Sequence, residues 1–196
     1  MGLRITLTCH RGDKYVVVIT GDTGFPPWEQ EDEINKIHEF YKEAHVACVH
    51  IGSLEREWIE AREKPGSEIC YKDNNHLGFN GAVKFLNLTQ PQTAIITEFG
   101  EELDAGDVRL ALNELIKELV YQDITIVPSD VPLFLAMKDG RVYFKCMGQD
   151  GHCQEFVPVK LINYYHDKEH DTIRYCFSAG CDSKLQHEKL PIRGQG

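Results

Sequence analysis

Asp22, His76 and Glu98 combine two carboxylates with an imidazole, and each borders the end of a predicted strand or the start of a predicted helix. Asp22 directly follows the apolar run Val17-Val18-Ile19-Thr20, and Glu98 directly follows Ile95-Ile96-Thr97. If those strands are parallel neighbours, both carboxylates emerge at one edge of the sheet, where open α/β sheets gather their ligands. A mixed carboxylate and imidazole set suits a divalent cation, which lowers the pKa of bound water and so supplies a nucleophile at neutral pH. Read singly, each residue also has an ordinary explanation. Gly21-Asp22-Thr23-Gly24 is a common turn sequence, His76 before Leu77-Gly78 suits a surface or helix-capping position, and Glu98 can belong to a solvated acidic loop with Glu101 and Glu102.

The second group is made of thiols. Cys146-x6-Cys153 and Cys176-x4-Cys181 form two close pairs separated by 22 residues rich in strand formers. Thiolate pairs on two facing turns are how a zinc ribbon builds a closed tetrahedral site, although both spacings are wider than the common two to four residues. Gly148, Gly151 and Gly180 permit the tight left-handed turns such knuckles need. The expectation is a structural four-cysteine zinc site, with His152 and His166 as substitutes should one cysteine not ligate; four unrelated cysteines are the alternative. Cys9, Cys48 and Cys70 are isolated and read as buried or partly buried thiols.

The elements that must position these groups follow from periodicity. Residues 5–9 and 15–20 read as a hairpin around Arg11-Gly12-Asp13. Residues 29–42 read as an amphipathic helix with Ile34, Ile37 and Tyr41 on its apolar stripe, followed by a buried strand over 46–51. Residues 53–75 read as irregular. A second helix opens at His76 with Phe79, Val83 and Leu86 on one face, a strand covers 94–97, a third helix capped by Asp104 carries Val108, Leu112, Leu115 and Leu119, and a strand covers 124–127. Helices alternating with short apolar strands give an α/β class with parallel strands. From about residue 133 the texture changes to short strands at 141–145, 155–161 and 172–175, a small β-rich unit with little core of its own that would benefit from a metal.

Composition narrows the function. A chain of 196 residues with 42% hydrophobic content can bury a core. Its net charge is −10, with all of the excess acid in residues 1–133. That balance disfavours a phosphate backbone as partner, so nucleic acid is only weakly supported. The apolar runs are strand-sized, well short of the ~20 residues a membrane helix requires, and the N-terminus does not read as a signal peptide. A cytoplasmic location is expected, and there the cysteines suggest metal binding rather than disulfides.

Taken in order, Gly21-Asp22-Thr23, His50-Ile51-Gly52, His76-Leu77-Gly78-Phe79-Asn80-Gly81 and Thr97-Glu98-Phe99-Gly100 resemble the second half of metallo-β-lactamase-fold hydrolases, the group that includes ribonucleases Z and J. The resemblance covers about residues 1–135. It implies half of an αββα sandwich; the cysteine pattern separately gives a zinc-ribbon-like module over 136–190, and the tail over 191–196 is expected to be disordered. The resemblance also implies that Asp22 bridges two metals and that His76 is catalytic or faces substrate. Glu98 stands where the family usually has histidine, which favours Mn²⁺ or Mg²⁺ somewhat relative to an all-histidine zinc site, so Zn²⁺ or Mn²⁺ is the expected catalytic metal of the completed site. The family's H-x-H-x-D-H motif belongs to an N-terminal half, and no H-x-H occurs in these 196 residues. The expectation is therefore a hydrolase part acting on a phosphoester or related ester, inactive alone and completed by an N-terminal half or partner chain, with self-association as a further possibility. The alternative is a non-catalytic, zinc-containing interaction module derived from the same fold.

Overall fold

The computed structural model describes residues 2–21, 30–52, 61–63, 69–71, 77–100, 103–121, 123–131, 134–145 and 156–177, with the backbone alone for 61–63, 69–71, 98, 99, 176 and 177. In chain order the first part comprises β1 (Leu3–Thr8), β2 (Lys14–Ile19), α1 (Glu31–Tyr41), β3 (Val46–Gly52), β4 (Ala61–Glu63), β5 (Ile69–Tyr71), α2 (Gly78–Thr89), β6 (Thr93–Phe99), α3 (Gly106–Leu119) and β7 (Thr125–Pro128). The later part comprises β8 (Leu135–Lys138), β9 (Arg141–Lys145), β10 (Phe156–Pro158), a 3-10 turn (Val159–Leu161), β11 (Ile162–Asp167) and β12 (Thr172–Phe177). No described helix is long and apolar enough to cross a membrane.

The main sheet runs β1-β2-β3-β6-β7, with β1 antiparallel to β2 and the other pairs parallel. From β2 to β7 the chain always steps in the same direction across the sheet. Right-handed crossovers then place every connecting helix on one face. Packing agrees: Val16, Val18, Ala47, Val49, Ile51, Ala94, Ile96 and Ile126 share a buried cluster with Ile34 and Tyr41 of α1, Phe85 and Leu86 of α2, and Leu112 and Ile116 of α3. The alternate residues point to the other face, as a two-residue strand period demands. There Val46 and Val127 form a second cluster with Val142, Phe144, Val159 and Ile162. The later strands thus do not rely on a core of their own. They share one with the underside of the sheet, across the boundary expected near residue 135.

Several local expectations are corrected. Residues 53–75 contain the antiparallel pair β4–β5, with Ala61 opposite Tyr71 and Glu63 opposite Ile69. Three-residue strands are too short to show alternation in a sequence. Helix α3 begins one residue later than an Asp104 cap requires: Ala105 occupies the cap position, and its side chain makes no capping bond. The cap comes instead from Asp171, whose Oδ1 accepts the Gly106 N–H at 3.1 Å. The buried stripe of α3 is also rotated, with Leu112 and Ile116 inside while Leu115 and Leu119 are 44% and 50% exposed.

At the opposite side of the sheet β1 has no strand beyond it among the described residues. Leu3, Ile5 and Leu7 alternate onto one face and remain exposed. Arg4, on the other face, reaches the end of α1, donating to the carbonyls of Phe40 and Lys42 at 2.8 Å each.

Candidate functional site

Three parallel strands and one helix start converge at the C-terminal edge of the main sheet. Thr20, fully buried at the end of β2, donates its backbone N–H to the Cys48 carbonyl at 3.0 Å, and its Oγ1 accepts the His50 N–H at 3.0 Å. His50 lies opposite Thr97 in the β3–β6 register. The His50 carbonyl accepts the N–H of Leu77, the residue before α2, at 3.4 Å. Gly100 donates to the Gly52 carbonyl at 2.6 Å. The approach is so close that a Cβ on Gly100 would overlap that carbonyl oxygen. Gly21, Gly52 and Gly78 have φ values of +64°, +71° and +64°, so the chain leaves β2, leaves β3 and enters α2 through left-handed conformations that glycine adopts without steric cost.

These contacts gather the sequence neighbours of all three proposed site residues. Asp22 follows Gly21 and His76 precedes Leu77, but both lie outside the described residues, and Glu98 is described only as a backbone position within β6. Two carboxylates and an imidazole are a suitable donor set for a borderline divalent ion. Among the described residues no group of three or more His, Cys, Asp or Glu side chains could hold a metal.

The four thiols of the expected zinc site are in the same position. Cys146, Cys153 and Cys181 lie outside the described residues, as does His152, and Cys176 is described as a backbone position in β12, paired with Asn163. His166 has a definite partner: its Nε2 lies 2.8 Å from Asp171 Oδ1. Of the isolated cysteines, Cys48 is partly buried and burial pushes its thiol pKa up. Cys9 is exposed, contrary to expectation, with its Sγ 3.5 Å from Asp13 Oδ2 at the turn end of the first hairpin.

Sequence reasoning missed the polar cluster on the β11–β12 turn. His170 Nδ1 lies 2.8 Å from Asp167 Oδ2, and Arg174 reaches the same oxygen at 2.6 Å. The His170 hydrogen bond is the main cause holding the Asp167 carboxyl below its ordinary range. Asp171 is likewise held low, first by His166 and then by the Gly106 N–H. The signal was the tandem His166-Asp167-x-x-His170-Asp171, in which each imidazole has a carboxylate within reach. The bonds tie the turn to itself and to the start of α3, so their evident role is to fix the hairpin against that helix.

No family model and no curated protein matches the sequence. Among solved structures, the chain is similar to a metallo-β-lactamase fold protein, YhfI, from Bacillus subtilis, with a TM-score of 0.39 and 10% identity over 73% of this chain. The chain spans 48% of the length of that protein.

Proposed function

We propose that this chain is part of a metal-dependent hydrolase that cleaves a phosphoester or related ester bond, and that it forms the C-terminal half of a metallo-β-lactamase-type domain. The observation that supports this reading is the convergence of the β2, β3 and β6 ends with the entry of α2, because it gathers the flanking residues of Asp22, His76 and Glu98. In this reading Asp22 would be shared between two cations, Glu98 would ligate one of them, and His76 would ligate a cation or contact the developing oxyanion of the substrate. Zn²⁺ or Mn²⁺ would supply Lewis acidity and lower the pKa of water. The contribution of the chain itself is positional: Thr20 locks β2 to β3, and the Gly52–Gly100 contact locks β3 to β6. A structural zinc on Cys146, Cys153, Cys176 and Cys181 belongs to the same proposal, as do an N-terminal half or partner chain that completes the site and a cytoplasmic setting that keeps the thiols reduced.

The test is metal titration of the purified chain, first with Mn²⁺ and then with Zn²⁺. Loss of a binding event in Asp22→Asn, His76→Ala and Glu98→Gln, each with an unchanged fold, supports the reading. Identical titrations of the parent chain and all three variants, also after reconstitution with a completing half, overturn it.

The exposed Leu3, Ile5 and Leu7 on the open edge strand favour a second reading, a non-catalytic interaction module, because such an edge invites pairing with another chain. In that case Asp22→Ala and Glu98→Ala leave partner binding unchanged, whereas Ile5→Lys abolishes it.

A further inference from the structure

The end of the sheet remote from Gly21, Leu77 and the Glu98 backbone carries a second feature, and it does not depend on the hydrolase reading. A half-open cavity of about 420 Å³ lies where β6 and β7 begin, lined on one side by Gln92, Thr93 and Thr125 and on the other by Arg141 and Lys160. Val142, Pro158 and Val159 add apolar lining. Its volume falls within the range of about 300–1,000 Å³ common to small-molecule sites. Thr93 and Glu98 are five strand residues apart in β6, which separates the two sites by about 16 Å along the strand.

The chemistry of the lining is selective. Arg141 and Lys160 are exposed, and among the described residues neither has a carboxylate within ion-pair distance. Arg109 and Arg174, by contrast, each rest on an aspartate, at 2.9 Å and 2.6 Å. Arg141 and Lys160 put a pair of positive charges on one cavity wall in a chain of net charge −10. Thr93 and Thr125 belong to the same lining, alongside Gln92. Gln92 is held in place by its bond to the Gly140 carbonyl at 2.8 Å, directly before Arg141. Asp123 is the acidic member of the lining, and together with the overall negative field it disfavours a polyanion.

We propose that this cavity binds a small organic anion through a single phosphate or carboxylate headgroup held between Arg141 and Lys160. The planar guanidinium suits bidentate contact with such a group, and the ammonium supplies a point charge. The apolar lining accepts the body of the ligand, and Asp123 accepts a hydrogen bond from a hydroxyl or amino group on it. Because the cavity lies at the junction of the main sheet with β9 and the β10 segment, its occupant would brace the two parts against each other.

The experiment is an amide-resolved NMR titration of the full chain with inorganic phosphate and, separately, with acetate, at fixed pH and ionic strength. Saturable shifts of the amides of residues 140–143 and 160 are expected, at least tenfold weaker in binding for the double variant Arg141→Gln and Lys160→Gln and unchanged for Lys117→Gln, which removes one charge elsewhere. Tighter phosphate than acetate assigns a phosphoryl headgroup, and the reverse assigns a carboxylate. The parent titration localises binding by itself, so the proposal stays testable even if the double variant folds poorly. Shifts that do not saturate, that centre on other residues, or that persist equally in a folded double variant overturn the proposal.

Discussion

Val16 and His45 hold each other by two bonds: the Val16 N–H donates to His45 Nδ1 at 3.1 Å, and the His45 N–H donates to the Val16 carbonyl at 2.8 Å. A backbone N–H can only donate, so Nδ1 must be the unprotonated acceptor and any ring proton sits on Nε2. The pair ties β2 to the turn that enters β3, and the Tyr15 ring meets the imidazole edge-on at 5.2 Å.

A pH dependence follows. Burial depresses the folded-state pKa of His45, so the unfolded chain binds its proton more readily. Stability from this group is complete above the unfolded value of about 6.5 and is lost as pH falls through the lower folded value. His45→Asn, which keeps an acceptor but does not titrate, should flatten the slope of stability between pH 7 and 5. Urea unfolding at several pH values measures it, and an unchanged slope in the variant counts against the assignment.

Gly100→Ala should destabilise the sheet edge, because the new methyl would overlap the Gly52 carbonyl and break the bond joining the ends of β3 and β6. Overpacking of this kind costs about 1–3 kcal/mol. Chemical denaturation gives the loss, and amide shifts should show it centred on residues 50–52 and 97–100. A stability equal to the parent would mean that the close approach does not exist in solution.

Phe85 is 2% exposed and meets the Tyr41 ring at 5.0 Å. Removing it leaves a cavity among α1, α2 and the sheet. Phe85→Ala should cost about 3–5 kcal/mol, read as a lower urea midpoint. A loss below about 1 kcal/mol, the scale of an ordinary surface substitution, would sink the claim that α2 packs through this face.

Asp171→Ala removes the cap of α3 and the partner of His166 in one step. The cap alone is worth about 1 kcal/mol. Asp171→Asn keeps an acceptor for the Gly106 N–H and should recover part of the loss, which thermal unfolding of the two variants can separate. Equal melting temperatures for both variants and the parent would remove the cap from consideration.

Elemental analysis addresses the thiols directly. A four-cysteine site holds about one zinc per chain, and chelation should expose the hairpin strands to protease. Cys153→Ser should lower the zinc content and the protease resistance together. A zinc-free chain with full resistance would rule the site out.

The sequence revealed β2, β3, β6 and β7 because parallel strands buried on both faces read as unbroken apolar runs, and Val46, Ala47 and Val49 belong to such a run. It could not reveal which stripe of α3 faces inward. Leu112 and Ile116 compete with Leu115 and Leu119 on equal hydrophobic terms, and docking against β7 decides between them. Nor could it reveal that a carboxylate 65 positions downstream caps that helix, since no local pattern records a contact between Gly106 and Asp171. The sheet edge was legible in outline, through residues that directly follow apolar runs. The locks provided by Thr20 and Gly100 were not, because each depends on a strand neighbour distant in sequence.

The second core cluster bears on how the chain is made. During synthesis β1 to β7 leave the ribosome first, and the helix face of their sheet can close at once. Val46 and Val127 must wait for Val142, Phe144, Val159 and Ile162 to emerge. Over that interval a nascent sheet presents one oily side to its crowded surroundings, which is when chaperone engagement or mispairing between neighbouring nascent chains has its opening.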